Sequence, residues 1–171
     1  MDLDGLVSRL GKGSVETVLR DSTREICEAF KAERLSIYRA NAEGTHLSSI
    51  VQSGIESFGT VKVRIDSGRS VAGYVGVTQK LLNIRDAYDD AELAPLKMAH
   101  KMFKAVDERT GFRTTQVLAA PIVSSDGKLL GVVELLNRDD GRRFPSAAES
   151  DLREFCAAVA PAFERQKETA S

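Results

Sequence analysis

Apolar residues recur at helical spacing in residues 14–31, where Val15, Val18, Leu19, Ile26 and Phe30 fall on one face. Ser14 stands at the head of that run, where its hydroxyl can cap a helix N-terminus. The period then changes from helical to alternating. In residues 34–39, Leu35, Ile37 and with them Arg39 oppose Ser36 and Tyr38, the pattern of a strand with two different faces. Asn41-Ala-Glu-Gly44 has turn chemistry, and a second strand is expected over residues 46–51. A third short strand, 61–65, sets Val61, Val63 and Ile65 against Lys62 and Arg64.

The middle of the chain is less regular. Residues 67–70 lead into a short glycine-bearing helix over 71–78, and 81–84 reads as a brief strand. Residues 86–110 are polar, acid-rich and weakly periodic, with Pro95 inside them and a short helix expected around 91–100. Connections this long in compact domains are usually functional, lid-like or disordered. Two stronger strands follow, 116–123 and 129–137, joined by the hairpin signal Ser124-Ser-Asp-Gly127. The second is apolar on both faces, as a central strand covered on both sides would be. A last helix is expected from Ser146, with Ser146 and Glu149 as a capping box and Leu152, Phe155, Val159 and Phe163 as its apolar stripe. The order predicts an α+β domain with an antiparallel sheet, terminal helices packed on one face and loops plus short helices on the other. We divide the chain into an N-terminal extension (1–13), one domain (14–165) and a C-terminal tail (166–171).

Composition narrows the function classes. A length of 171 residues suits one domain that needs no metal or disulfide to hold its core. Net charge is −1, with no clustered positive excess, which argues against a nucleic-acid binder. Arg138, Arg142 and Arg143 read as a solvated loop. Cys27 and Cys156 lie beside apolar neighbours in helical stretches and read as small buried hydrophobes, a usage that fits a reducing cytosol. His46 and His100 are isolated, without metal-ligand spacing. The acidic start Met1-Asp2-Leu3-Asp4 is not followed by an apolar signal region, and apolar runs are strand-length, so a cytoplasmic location without membrane insertion is expected. Asp86, Asp89 and Asp90 read as caps and turn formers, and no catalytic or cofactor-binding constellation is evident.

Four segments, in order, are similar to GAF domains: Ser70-Val-Ala-Gly-Tyr-Val75, Leu82-Asn-Ile-Arg-Asp-Ala-Tyr88, residues 107–122 (DERTGFRTTQVLAAPI), and Gly131-Val-Val-Glu-Leu-Leu-Asn137. The resemblance covers residues 14–165. It extends to the cyclic-nucleotide-binding GAF domains of phosphodiesterases and, more faintly, to those preceding bacterial type II secretion and pilus ATPases. No phosphate loop of an ATPase is present in this sequence. The resemblance implies a regulatory sensor rather than an enzyme, binding a small molecule for which a cyclic nucleotide is one candidate. It also implies signalling through terminal helices that commonly build a homodimer. A ligand-free module kept for dimerisation or docking is the alternative. The cysteine cluster of the family's methionine sulfoxide reductases and the loop cysteine of its bilin carriers are both missing here.

By the same resemblance Ala72 approaches the ligand through its backbone at a helix start, Thr114 offers a hydroxyl, and Glu134 offers a carboxylate to a purine edge. Val71, Thr110 and Phe112 are further pocket-lining candidates. Thr110 reads equally as a loop-stabilising hydroxyl, and Phe112 as a core plug. Glu134 stands out without the family as well, inside Leu129-Leu-Gly-Val-Val-Glu-Leu-Leu136. A buried ionised carboxylate without partners would cost several kcal/mol. It must therefore be paired, with Arg113 for instance, or exposed, protonated, or turned to a wet cavity. One family pattern is incomplete: Asn137-Arg138 and Phe144 are in place, but Ala148 occupies a position that is acidic in the cyclic-nucleotide binders.

Overall fold

The structure is a computed structural model that describes residues 1–66 and 68–166. One antiparallel sheet organises the chain. Its strands are β1 (Ala32–Ala40), β2 (His46–Gln52), β3 (Lys62–Arg64), β4 (Leu82–Ile84), β5 (Val117–Val123) and β6 (Leu129–Arg138), in the spatial order β3-β2-β1-β6-β5-β4. Antiparallel pairing of sequential strands builds the two halves, β1-β2-β3 and β4-β5-β6, and the pairing of β1 with β6 joins them, placing Ser36 opposite Glu134 and Tyr38 opposite Val132.

Strand alternation feeds two cores. Leu35 and Ile37 of β1, Leu118, Ala120 and Ile122 of β5, and Val133 and Leu135 of β6 point to one face. There they meet α1 (Leu3–Leu10), α2 (Val15–Asp21), α3 (Thr23–Phe30) and α7 (Ser146–Arg165). Tyr38, Val117, Ala119 and Val132 point to the other face, under α4 (Val71–Thr78), α5 (Asp90–Leu93) and α6 (His100–Thr110). The α+β layering expected from the sequence is the layering observed, and β6 is covered on both faces.

Four local expectations need correction. The helix expected over 14–31 is two helices, because Ser22 leaves helical geometry at φ −91° and ψ 1° and turns its hydroxyl back to the Val18 carbonyl. Residues 1–13 hold α1, whose Leu6 and Leu10 are buried against the main core. A full helix, α6, follows the expected short one. The capping box at Ser146 does not form: Pro145 is the N-cap, Ser146 already lies inside the helix, and the Glu149 carboxylate instead accepts from Asn83 Nδ2 at 2.8 Å.

The segment between α1 and α2 meets the end of α7 at one knot. Gln166, assigned from sequence to the C-terminal tail, accepts the Val15 N–H through Oε1 at 2.8 Å and donates from Nε2 to the carbonyls of Gly13 (2.9 Å) and Leu10 (3.3 Å). Its own carbonyl accepts from Arg39 at 2.8 Å. Arg39 is buried, pairs with Glu16 at 3.0 Å, and lies over the Phe163 ring. The remaining tail, 167–171, lies outside the described residues. No helix among the described residues is long and apolar enough to cross a membrane.

Candidate functional site

The core on the face of the sheet under α4 and α6 leaves part of the space open. Between them lies a cavity of about 460 Å³, within the size range of roughly 300–1,000 Å³ usual for small-molecule sites. Its floor is sheet. Gln52, Ser36 and Glu134 are direct register partners across β2, β1 and β6, so they stand side by side on the cavity face. Tyr38 lies next to them, with the Ser36 and Gln52 side chains against its phenol. Apolar side chains make the walls, among them Val63 and Val117 from strands and Phe103 and Val106 from α6. Exposed Lys62, Arg69 and Arg109 also line it, and among the described residues Glu134 is the one acidic member of the lining.

Each wall has a local cause. The Ser70 hydroxyl caps α4 by accepting the Gly73 N–H at 2.9 Å, which fixes the first turn of that helix over the floor. Gly73 is required there, because a Cβ would come within 2.6 Å of the Arg64 carbonyl oxygen and 2.7 Å of that of Asp66. In that first turn the Ala72 N–H is directed to the Glu134 carboxyl, and both residues line the cavity. Asp89 caps α5, and Asp90 accepts both the backbone N–H and the ring Nδ1 of His100, at 2.8 Å each, at the start of α6. These aspartates are the turn formers the sequence suggested.

Glu134 is 8% exposed and has no ion pair. Burial raises its carboxyl to about 7 from an ordinary 4.5, partly offset by the Ala72 backbone N–H. The pairing with Arg113 considered from sequence is not made: that guanidinium stacks on the Tyr88 ring, 3.8 Å from its centre. Gln52 is equally buried, and its side-chain oxygen has no hydrogen-bond partner. The cavity floor thus holds a carboxyl raised to about 7 and an amide oxygen without a hydrogen-bond partner.

Thr114 lines the cavity, but its hydroxyl is already donated to Asp107 at 2.7 Å, leaving only acceptor capacity for a ligand. Buried Asp107 also takes the Thr114 N–H at 2.9 Å and the Tyr88 hydroxyl at 2.6 Å, holding the loop before β5 against α6. Asn137 braces the same loop from the other side. It sits in the left-handed region at φ 56°, accepts the Thr115 N–H at 2.7 Å, and donates to the Arg113 carbonyl at 2.8 Å. Arg138 pairs with Asp140 at 3.1 Å and bonds the Arg143 carbonyl, while Ala148 is buried in the main core.

Five of the six residues singled out from sequence, Val71, Ala72, Thr110, Thr114 and Glu134, line this one cavity. Phe112 does not. Its ring lies under the Arg34 guanidinium, 3.7 Å away, and plugs neither cavity nor core. Sequence reasoning passed over Gln52, Ser36 and Tyr38, because polar residues in an alternating strand read as solvent-facing. Helical spacing of Met102, Phe103 and Val106 was the available signal for α6. Cys156 is buried and Cys27 half-buried, and desolvation raises their thiols to about 12 and about 11, away from thiolate chemistry. A wider hollow of about 620 Å³ opens elsewhere, beside Asn41, Lys128 and Glu164, but its buried cation, Arg39, is fully engaged by Glu16 and the end of α7.

The dual cyclic-AMP and cyclic-GMP phosphodiesterase 11A of Takifugu rubripes is 26% identical over 139 residues, which are 76% of this chain and 14% of that protein. A probable 3′,5′-cyclic phosphodiesterase of Caenorhabditis elegans, pde-5, is 36% identical over 88 residues, 51% of this chain and 11% of that one. The chain therefore spans only a small part of these relatives' length. Among solved structures, a methyl-accepting chemotaxis protein fragment superposes with a TM-score of 0.74 at 21% identity, covering 94% of this chain and 95% of that one. The GAF domain of an Acinetobacter phosphoenolpyruvate-protein phosphotransferase gives 0.69 at 20%, covering 95% and 90%. The sequence profile of the GAF domain matches residues 14–163. A match over that span, on a sheet layered and furnished in this way, makes the chain a member of the GAF domain family.

Proposed function

We propose that this GAF domain is a sensor whose cavity takes a small anionic molecule with a planar, hydrogen-bonding head, a nucleotide being the leading class. One observation carries this reading: the row Gln52–Ser36–Glu134 at the foot of apolar walls, with the Gln52 oxygen unpartnered. A planar head would lie between Val117 and Phe103 and present its edge to that row. The anionic part would lie toward the N–H groups of α4 and toward Arg69 and Arg109. Cyclic nucleotides have this shape, and the phosphodiesterase relatives support them as the first ligands to try.

The signal would leave through the terminal helices. Adjacent residues of β1 face opposite ways, so Tyr38 touches the cavity while Arg39 holds the carbonyls of Phe163 and Gln166 at the end of α7. A shift of the floor is thereby offered to the helix terminus. The apolar stripes of α1 and α7 are spent on the domain's own core. A homodimer through these helices would use their polar outer faces.

Thermal unfolding against cyclic AMP, cyclic GMP, cyclic di-GMP and purine nucleotides tests the reading. A ligand at about 100 times its dissociation constant stabilises the fold by about 2.7 kcal/mol, visible as a raised midpoint. Glu134→Ala should abolish that rise. A panel that leaves the midpoint unmoved refutes the nucleotide assignment.

A further inference from the structure

We infer that Glu134 reads its ligand as a neutral carboxylic acid, so that occupation of the cavity is coupled to proton uptake. This inference rests on the sensor reading above and adds regulation to the same site. Beside the carboxyl stand its register partners Ser36 of β1 and Ala119 of β5, the Tyr38 phenol of β1 and the Ala72 N–H of α4, while Gln52 of β2 lies one strand further along the same row. Also lining the cavity are Arg109 and Thr110 of α6, Lys62 of β3 and Arg69 ahead of α4. Arg69 turns instead to Asp66, at 3.4 Å. Among the described residues no cation is paired with Glu134, and one backbone N–H alone favours its charged form.

A carboxylate normally accepts several hydrogen bonds, and a buried one needs them. This floor supplies too few. Gln52, at the far end of the same row, has a side-chain oxygen that is itself without a partner. The neutral acid suits the same surroundings. It offers one O–H donor and one carbonyl acceptor side by side. That is the complement of a planar edge with an acceptor and a donor adjacent, such as a lactam or an amidine edge. A second donor on the ligand would satisfy Gln52. An anionic ligand entering the cavity removes further water and adds like charge, and both effects strengthen the hold on the proton. With the empty site near half-protonated at neutral pH, small changes of pH would alter the occupied fraction. The module would then answer to ligand and acidity together.

The proton is observable without a ligand. In the full chain, the side-chain carboxyl carbon of Glu134, assigned by its loss in Glu134→Gln, should titrate by NMR with a midpoint near 7. A midpoint in the ordinary glutamate range near 4.5 overturns the inference, whatever the pocket binds. Cyclic AMP and cyclic GMP are then titrated from about pH 6 to about pH 8.5. Affinity should fall by up to tenfold per pH unit above the midpoint, as for any ligand that needs one bound proton. In Glu134→Gln, whose amide also pairs a donor with an acceptor, that dependence should vanish. Binding that strengthens with pH, or a dependence unchanged in the variant, overturns the coupling. If neither nucleotide binds, the nucleotide reading fails, while the carboxyl titration still decides whether the acid is held neutral.

Discussion

Glu134 carries a consequence for stability that can be worked out at the level of one residue. In the unfolded chain its carboxyl titrates near 4.5, and in the folded chain near 7. Below the lower value both states keep the proton and the group does not weigh on folding. As pH rises between the two, the unfolded chain releases its proton first, and stability falls. Above about 7 the loss is complete, about 3 kcal/mol in all. Glu134→Gln should remove this slope, leaving a protein more stable than the parent at and above neutral pH in urea titrations. A variant that keeps the slope would assign it to other groups. The importance of this residue was legible in the sequence because an ionisable side chain in an otherwise apolar strand demands a reason. Its row partners were not. Ser36 and Gln52 look like ordinary outward positions until the register puts them beside Glu134.

Single positions also decide how elements sit against the site. Gly73→Ala puts a methyl against two backbone carbonyls that cannot swing aside, so α4 must lift from the β3 end of the sheet. We expect a destabilisation of about 1–3 kcal/mol, seen as a lowered denaturant midpoint, and weaker binding of whatever ligand the thermal panel identifies. Asn137→Ala removes two hydrogen bonds to the loop that carries Thr114 and places alanine in left-handed backbone. A loss of about 2–4 kcal/mol follows from those terms together. Asn137→Gly, which accepts the backbone geometry, should recover part of it in the same denaturation experiment. Elements were legible where continuous apolar runs were bounded by turn residues, as for β5 and β6. α6 was not, since it turns Met102, Phe103 and Val106 toward a cavity instead of a packed core and so carries only a narrow apolar stripe. The break at Ser22 was hidden for a different reason: both halves keep their apolar residues on the same side.

In the whole molecule, local and distant pairings divide the labour. The hairpins β1–β2 and β5–β6 were readable from turns and alternation, but nothing local announces that β1 lies against β6, the contact that turns two hairpins into one sheet and aligns the cavity floor. The knot at Gln166 is more distant still, joining residue 166 to residues 10, 13 and 15. Contacts that close nearly the full chain gain nothing until the intervening sheet exists. The knot should thus be absent from the folding transition state. Gln166→Ala should leave the refolding rate near its original value and speed unfolding, roughly tenfold for each 1.4 kcal/mol lost. Equal changes in both arms of a stopped-flow chevron would show instead that the two segments meet early. Time is then what this junction governs: three side-chain hydrogen bonds at this seam set how long the finished domain lasts before it opens, and have little say in how quickly it is made.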